Sequence, residues 1–273
     1  MAWLARPDGA VIWHRHEGPR EGGVTFVFFN ALTGDADLWL EGIAPALEAR
    51  GHGTLVFDHR GQRRSPVEAD VAISLRALVE DAAALVRSEE PVRPVYVGLS
   101  IGGLFAAMVH REGAKAEGLL LLNTLREDGP RLRWINEALL RAARTGGLRL
   151  VRDLYMPLLM GENWLERHRH DFLLEDPYAP LAADAPELRL LAVGCEARWD
   201  FPWEEIAVPV VVLTGREDRL FHDEAAVARL SRRMPRAFRI DVPDAGHLIP
   251  AEKPEAVVEA CLVLADRLEE ARS

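Results

Sequence analysis

Five apolar runs of strand length set the limits on how this chain can fold. VTFVFFN (24–30), TLVFD (54–58), PVYVGL (94–99), GLLLLN (118–123) and PVVVLTG (209–215) are dominated by β-branched, aromatic and leucine side chains. A strand wet on one side alternates polar and apolar residues. These runs do not, so they belong to a sheet covered on both faces. The stretches between them repeat with helical period. SLRALVEDAAALVRSEE (74–90) places Leu75, Leu78, Val79, Ala82, Leu85 and Val86 along one face. DADLWLEGIAPALEARG (35–51) reads as one helix closed by Gly51, in spite of Pro45, and another runs from about 101 to 112. Strict alternation of strand and helix predicts right-handed crossovers and an α/β architecture. The opening WLARPDGAVIWHRHEG differs, because two short runs flank Pro7-Asp8-Gly9. That pattern predicts a hairpin at an antiparallel edge of the same sheet.

The rhythm breaks at Thr124. Residues 124–206 carry no buried-strand pattern but several helical stretches, with Trp134, Trp164, Trp199 and Trp203 among them. Alternation resumes at 209, passes through FRIDVP (238–243) and ends in a helix over about 252–270. The chain therefore reads as a core of residues 1–123 and 207–273 with a helical insertion at 124–206. Such an insertion lies over the C-terminal edge of the sheet, where open α/β proteins bind ligands.

With 49% hydrophobic residues in 273, the chain has enough apolar side chain for a large core. Its net charge of −10 argues against nucleic-acid binding, which needs Lys and Arg to neutralise phosphates. No run reaches the roughly 18 apolar residues of a membrane span, and MAWLARPDGAVIWHRH has no signal-type apolar segment. The expectation is a soluble cytoplasmic protein with no nucleic-acid or membrane partner, as a monomer or homodimer. Cys195 and Cys261 match neither a metal site nor a CxxC motif, and Cys261 falls in the apolar pattern of the last helix.

The chemistry centres on GLSIG (98–102), where the third run meets the helix after it. Gly-x-Ser-x-Gly occurs by chance roughly 0.03–0.04 times in a chain of this composition. Its position sharpens it. A serine lifted on a tight strand-to-helix turn needs small neighbours, which Gly98 and Gly102 supply, and the helix N-terminus favours developing negative charge. A serine hydroxyl is a weak nucleophile and requires a base. Of nine histidines, His247 in PDAGHLIPAEKPE follows the last strand and shares the edge of Ser100. His14 and His16 lie in the hairpin and His110 inside a helix. His168 and His170 point to different sides of a helix, which argues against a metal pair, and His222 suits a helix start. The base requires an acid. Asp218 in TGREDRL, just past the strand 209–215, is preferred over Glu217, Asp223 and Asp244.

The order Ser100, Asp218, His247, with GLSIGG, LTGREDRL and AGHLIPAEKPE around them, resembles the α/β-hydrolase superfamily over nearly the whole chain. The resemblance implies the α/β-hydrolase fold with a helical cap inserted after the sixth strand. It implies Ser100 as nucleophile, His247 as base and Asp218 as the acid that orients it. It also implies an oxyanion hole from the backbone N–H groups of Ile101 and Leu32, the latter in Asn30-Ala31-Leu32-Thr33-Gly34. NALTG and the pair Asn123-Thr124 are similar to the 3-oxoadipate enol-lactonase branch. DHRGQRRS (58–65) resembles a family loop, with Arg63 where glycine is usual. The implied activity is hydrolysis of a carboxylic ester or lactone through an acyl-enzyme, without metal or other cofactor. A thioesterase, a cofactor-free perhydrolase or a ligand-binding protein of the same fold are the alternatives. Asn30, Trp134, Tyr155, Met160 and Trp164 are the candidate substrate-binding residues. Arg126, Arg131 and Arg133 read as solvated helix charges in preference to carboxylate receptors.

Overall fold

A computed structural model of the protein describes residues 1–272. Its strands are β1 (Ala2–Ala5), β2 (Val11–Glu17), β3 (Thr25–Phe29), β4 (Gly53–Phe57), β5 (Pro94–Leu99), β6 (Gly118–Leu122), β7 (Val210–Gly215) and β8 (Ala237–Val242). The helices are α1 (Asp37–Leu40), α2 (Ile43–Ala49), α3 (Leu75–Glu89), α4 (Ile101–Arg111), α5 (Pro130–Leu159), α6 (Glu162–His168), α7 (Pro186–Glu196), α8 (Glu224–Arg233), α9 (Ile249–Glu252) and α10 (Pro254–Glu270). The strands form one eight-stranded sheet in the order β1-β2-β4-β3-β5-β6-β7-β8. The β1–β2 and β2–β4 pairs are antiparallel and every later pair is parallel. The hairpin at Pro7-Asp8-Gly9 thus forms the antiparallel edge, and Gly9 takes φ +90 at its turn.

The uninterrupted apolar runs are explained by two cores. Val27, Phe29, Tyr96, Leu119, Leu121 and Val212 face α3 and α4 on one side. Their neighbours Phe26, Phe28, Val95, Val97, Leu120 and Leu213 face α2 and α10 on the other. Successive side chains point to opposite faces, so a strand buried on both has little place for polar residues, and those of β3, β4 and β7 are the threonines Thr25, Thr54 and Thr214. Ser74 begins α3 by accepting a hydrogen bond from the Ala77 N–H at 3.2 Å.

One expected helix is two. The 35–51 stretch breaks at Glu41-Gly42 into α1 and α2. Pro45 then falls in the first turn of α2, where its missing N–H has no intrahelical acceptor to satisfy. The expected last helix is α10, and a separate short helix, α9, precedes it across Lys253. Between β6 and β7 the described chain is helical and contains no strand, as the loss of the strand pattern implied. Within it α5 kinks at Gly146-Gly147, and Gly147 takes φ +74. Among the described residues no helix is long and apolar enough to cross a membrane. Cys195 and Cys261 are free thiols.

This topology decides where the site can form. The chain steps from β3 outward to β4, then returns to the other side of β3 to lay down β5. The loop after β3 and the turn after β5 therefore leave the sheet side by side, at the switch point of an open parallel sheet.

Candidate active site

Ser100 stands between β5 and α4 with φ 57 and ψ −123. This is a strained region for a residue with a side chain, and such strain persists only where surroundings hold it. The Ser100 N–H donates to the Leu122 carbonyl at 2.7 Å, which ties the turn to β6. Packing explains the glycines. A Cβ on Gly98 would collide with the backbone of Gly103, and one on Gly102 with the carbonyl oxygens of Phe29 and Asn30. Gly103 is a third such position, pressed against the Thr124 side chain.

Asp218, just past β7, and His247, on the loop between β8 and α9, meet at this edge. Asp218 Oδ2 and His247 Nδ1 lie 2.6 Å apart, and both residues are buried. Asp218 Oδ1 accepts from the N–H groups of Leu220 and Phe221 at 3.0 and 2.9 Å. Burial pushes this carboxyl up. The His247 ring, the Phe221 amide and the Arg126 charge outweigh it and hold the group below the usual carboxylate value. The Phe221 ring lies 5.0 Å from the His247 ring, tilted against it. The competing acids are engaged elsewhere: Asp223 caps α8, Asp244 pairs with Lys253, and Glu217 accepts from the Glu162 N–H.

The N–H groups of Leu32 and Ile101 donate to no protein acceptor among the described residues. The Ile101 amide directly follows the buried serine and the Leu32 amide belongs to the loop after β3 at the same sheet edge, and both are free to meet a negative oxygen. The loop that carries Leu32 is held from below. Asn30 Nδ2 donates to the Phe57 carbonyl and to Gln62 Oε1, while Asn30 Oδ1 accepts from Trp39 Nε1. Gln62 Nε2 in turn donates to the Ala31 carbonyl at 2.8 Å. Arg63, where glycine is usual, causes no strain: the positive φ of this turn falls on Gly61, and Arg63 reaches out to pair with Asp37.

Several expected binding residues are placed otherwise. Asn30 is buried, and both hydrogens of its Nδ2 and one lone pair of its Oδ1 are engaged in holding its loop. Trp134 is 79% exposed on the outside of α5. Trp164 stacks on His168 with ring centres 4.0 Å apart. Met160 is buried where the end of α5 passes the His247 loop, and the His247 N–H donates to the Leu159 carbonyl at 2.5 Å. Tyr155 is half-buried on α5. A cleft of about 220 Å³ does adjoin the site. Its walls come from residues 126–132, Ile135 and the segment 220–223, so Arg126, Phe221 and His222 line it and the expected aromatics do not.

Arg126 is the largest departure. It is 6% exposed, so it is no solvated helix charge. Since α5 begins only at Pro130, Arg126 lies on the loop that crosses the strand ends. Its Nη2 donates to Ser100 Oγ at 2.9 Å. Among the described residues no hydrogen bond joins Ser100 Oγ to the His247 ring.

Asn123 binds these parts together. It has φ 45, and its Nδ2 donates to the carbonyls of Gly246 and His247, each at 2.9 Å. Its Oδ1 accepts from the Gly215 N–H at 2.9 Å. One side chain thus registers the end of β6 against the end of β7 and the histidine loop. Asn123→Ala loses all three bonds and places alanine where asparagine is better tolerated. The expected result is a kcat lower by about 100-fold or less through misplacement of the His247 loop. A stability loss of about 2–3 kcal/mol should accompany it. Steady-state kinetics and thermal melting check the two effects separately.

The pattern of the alpha/beta hydrolase family matches residues 26–260. A protein of Variovorax paradoxus (strain S110) named as a carbamate hydrolase, RutD, is 29% identical over 107 residues, 39% of this chain. The match spans only 40% of the length of that relative. A thermophilic esterase from Thermogutta terrifontis, in a malate-bound structure, superposes with a TM-score of 0.77 at 24% identity, covering 97% of both chains. An enol-lactonase from Burkholderia xenovorans LB400 gives 0.75 at 22% identity, over 96% of this chain and 98% of its own. At these identities the two structures speak to the fold alone. The family match reaches from β3 into α10 and so includes every residue of the Ser100–Asp218–His247 edge, and on it the chain belongs to the alpha/beta hydrolase family.

Proposed function

We propose that the protein is a serine hydrolase that cleaves a carboxylic ester or lactone through an acyl-enzyme. The observation that carries this reading is the buried 2.6 Å pair of His247 and Asp218 at the same sheet edge as a serine held at φ 57. Ser100 attacks the carbonyl carbon and His247 takes the hydroxyl proton. Asp218 keeps the proton of His247 on Nδ1, so that Nε2 is the basic nitrogen. The N–H groups of Ile101 and Leu32 receive the oxyanion. His247 returns the proton to the leaving alcohol, and water releases the acyl group by the same steps. The helical segment 124–206 serves as the cap that excludes bulk water. The esterase and the enol-lactonase that share the fold suit this reading.

The test is treatment of the wild-type protein with a small fluorophosphonate, followed by intact-mass analysis and peptide mapping, beside turnover of p-nitrophenyl esters. One adduct on Ser100 and saturable turnover are expected. A folded protein that takes no adduct and turns over no ester is not a serine hydrolase, and a ligand-binding role then replaces this one.

A further inference from the structure

A buried guanidinium without a carboxylate is an unfinished interaction. Arginine stays charged in proteins, and a charge removed from water requires compensation. The Arg126 side chain receives some from the carbonyls of Thr124 and Asn123, at 3.3 and 2.8 Å. More comes from the faces of Trp199 and Phe221, 4.5 and 4.4 Å from its central carbon. It forms no ion pair among the described residues, and its Nη1 has no hydrogen-bond partner there. Burial lowers its pKa to about 10, with Asp218 acting the other way, so the charge persists at neutral pH.

The cleft beside it has the same imbalance. Of its acidic lining residues, Glu127 is paired with Arg229. Asp128 accepts from the Trp199 N–H and lies near Arg198, and Asp223 caps α8. Arg131 touches only the Arg219 carbonyl, at 3.4 Å. Arg126 and Arg131 carry charge with no ion pair among the described residues, against the single capping carboxylate of Asp223, so the balance in the cleft is positive and Arg126 stands between the cleft and the nucleophile.

We propose that Arg126 is the receptor for a carboxylate on the acyl part of the substrate, so that this enzyme acts on half-esters of short dicarboxylic acids. The inference rests on the serine-hydrolase reading above and names its substrate class. A carboxylate that bonds to the free edge of the guanidinium lies close to Ser100. The reacting carbonyl and the carboxylate are then separated by about two or three carbons. The same carboxylate competes for Nη2. At present Nη2 occupies a lone pair of Ser100 Oγ, and a lone pair donated to a cation is poorly available for attack. An anionic substrate turns Arg126 from the nucleophile to itself and frees the hydroxyl to donate to His247. Arg126 thus selects the substrate and couples its binding to assembly of the triad.

The test compares p-nitrophenyl hydrogen glutarate with p-nitrophenyl pentanoate, which share a leaving group and a chain length but differ in charge. Wild type is expected to favour the half-ester by about tenfold or more in kcat/KM, through KM because Arg126 binds the carboxylate and through kcat because Ser100 is released. In Arg126→Met that ratio inverts, and Arg126→Lys restores part of it, since a single charge replaces the fork. Circular dichroism and fluorophosphonate labelling of Ser100 verify that each variant is folded and its nucleophile intact. No preference in wild type, or a parallel fall on both esters in both variants, overturns the proposal and leaves Arg126 as a strut for its loop. If wild type takes the fluorophosphonate but hydrolyses neither ester, calorimetry with glutarate decides. Binding at millimolar concentration that Arg126→Met abolishes supports the subsite, and no binding overturns it. Failure to take the fluorophosphonate tells against the hydrolase reading itself. Glutarate binding that depends on Arg126 would then still establish the anion subsite.

Discussion

Ser100→Ala is expected to lower ester turnover by about a million-fold in kcat and to abolish the fluorophosphonate adduct. The size follows from how the site is divided. On the proposed mechanism the acyl-enzyme does not form without the hydroxyl, and His247 has no proton to take. What survives is the contribution of the oxyanion amides and of binding, roughly 10³–10⁴ over the reaction in water. KM should change little, because the Ser100 hydroxyl is small and the amides of Leu32 and Ile101 belong to the backbone. Stability should change by less than about 1 kcal/mol, since Arg126 keeps its bond to the Asn123 carbonyl and the φ of 57 is no easier or harder for alanine than for serine. Intact mass after labelling, turnover and a thermal melt on one preparation separate these effects. Turnover that persists in the variant would transfer the chemistry to another group.

The parts of this site that could be read from the sequence are those whose cause is local. At Ser100 the strand pattern, the flanking glycines and the helix pattern lie within a dozen residues and impose one geometry on one another. The choice of Asp218 and His247 needed only their place at strand ends, because a parallel sheet brings every such end to one edge. Asn30 shows the limit. A polar residue at a strand end suits substrate binding as well as structure, and what decides is that Trp39, Phe57 and Gln62 arrive to take both of its amide hydrogens and one oxygen lone pair. None of those contacts leaves a mark at position 30. Trp134 misled for the opposite reason. Its helix was legible, but which face of α5 meets the core depends on α7, with which Leu140, Leu188 and Leu191 form a small separate cluster. The break at Gly42 turned on a choice between two weak signals, a glycine and a proline three residues after it.

Arg126 was hidden more deeply. Arginines spaced along a leucine-rich stretch are usually solvated, and Arg131 and Arg133 follow that rule on the first turn of α5. Arg126 escapes it because the helix starts four residues later, and because Trp199 and Phe221 come from segments 73 and 95 positions away to sandwich it. Long-range aromatic partners carry the burial of a charge here, and sequence distance conceals them.

Asp218→Asn is expected to lower kcat by about 10⁴ while leaving the site nearly isosteric. The carboxylate accepts three hydrogen bonds: one from His247 at Oδ2 and two from the amides of Leu220 and Phe221 at Oδ1. Those backbone N–H groups must still find an acceptor, so the asparagine oxygen takes the Oδ1 position and its NH₂ is directed at His247 Nδ1. A donor at that point forces Nδ1 to accept, which moves the ring proton to Nε2. The nitrogen that should take the serine proton then already carries one. The loss is therefore in kcat, with fluorophosphonate labelling slowed in proportion because both depend on the same base. Acid stability supplies an independent check. Asp218 is held below the ordinary carboxylate value in the folded protein. Its contribution to stability is thus complete above the unfolded value near 3.8 and is lost as pH falls through the lower folded value. Asparagine has no such dependence. The wild-type advantage in melting temperature over Asp218→Asn should be largest near neutral pH and shrink as pH falls below about 4. An advantage independent of pH would mean that the carboxylate is not the ionised partner of His247, and the assignment of the acid would return to Glu217 or Asp244.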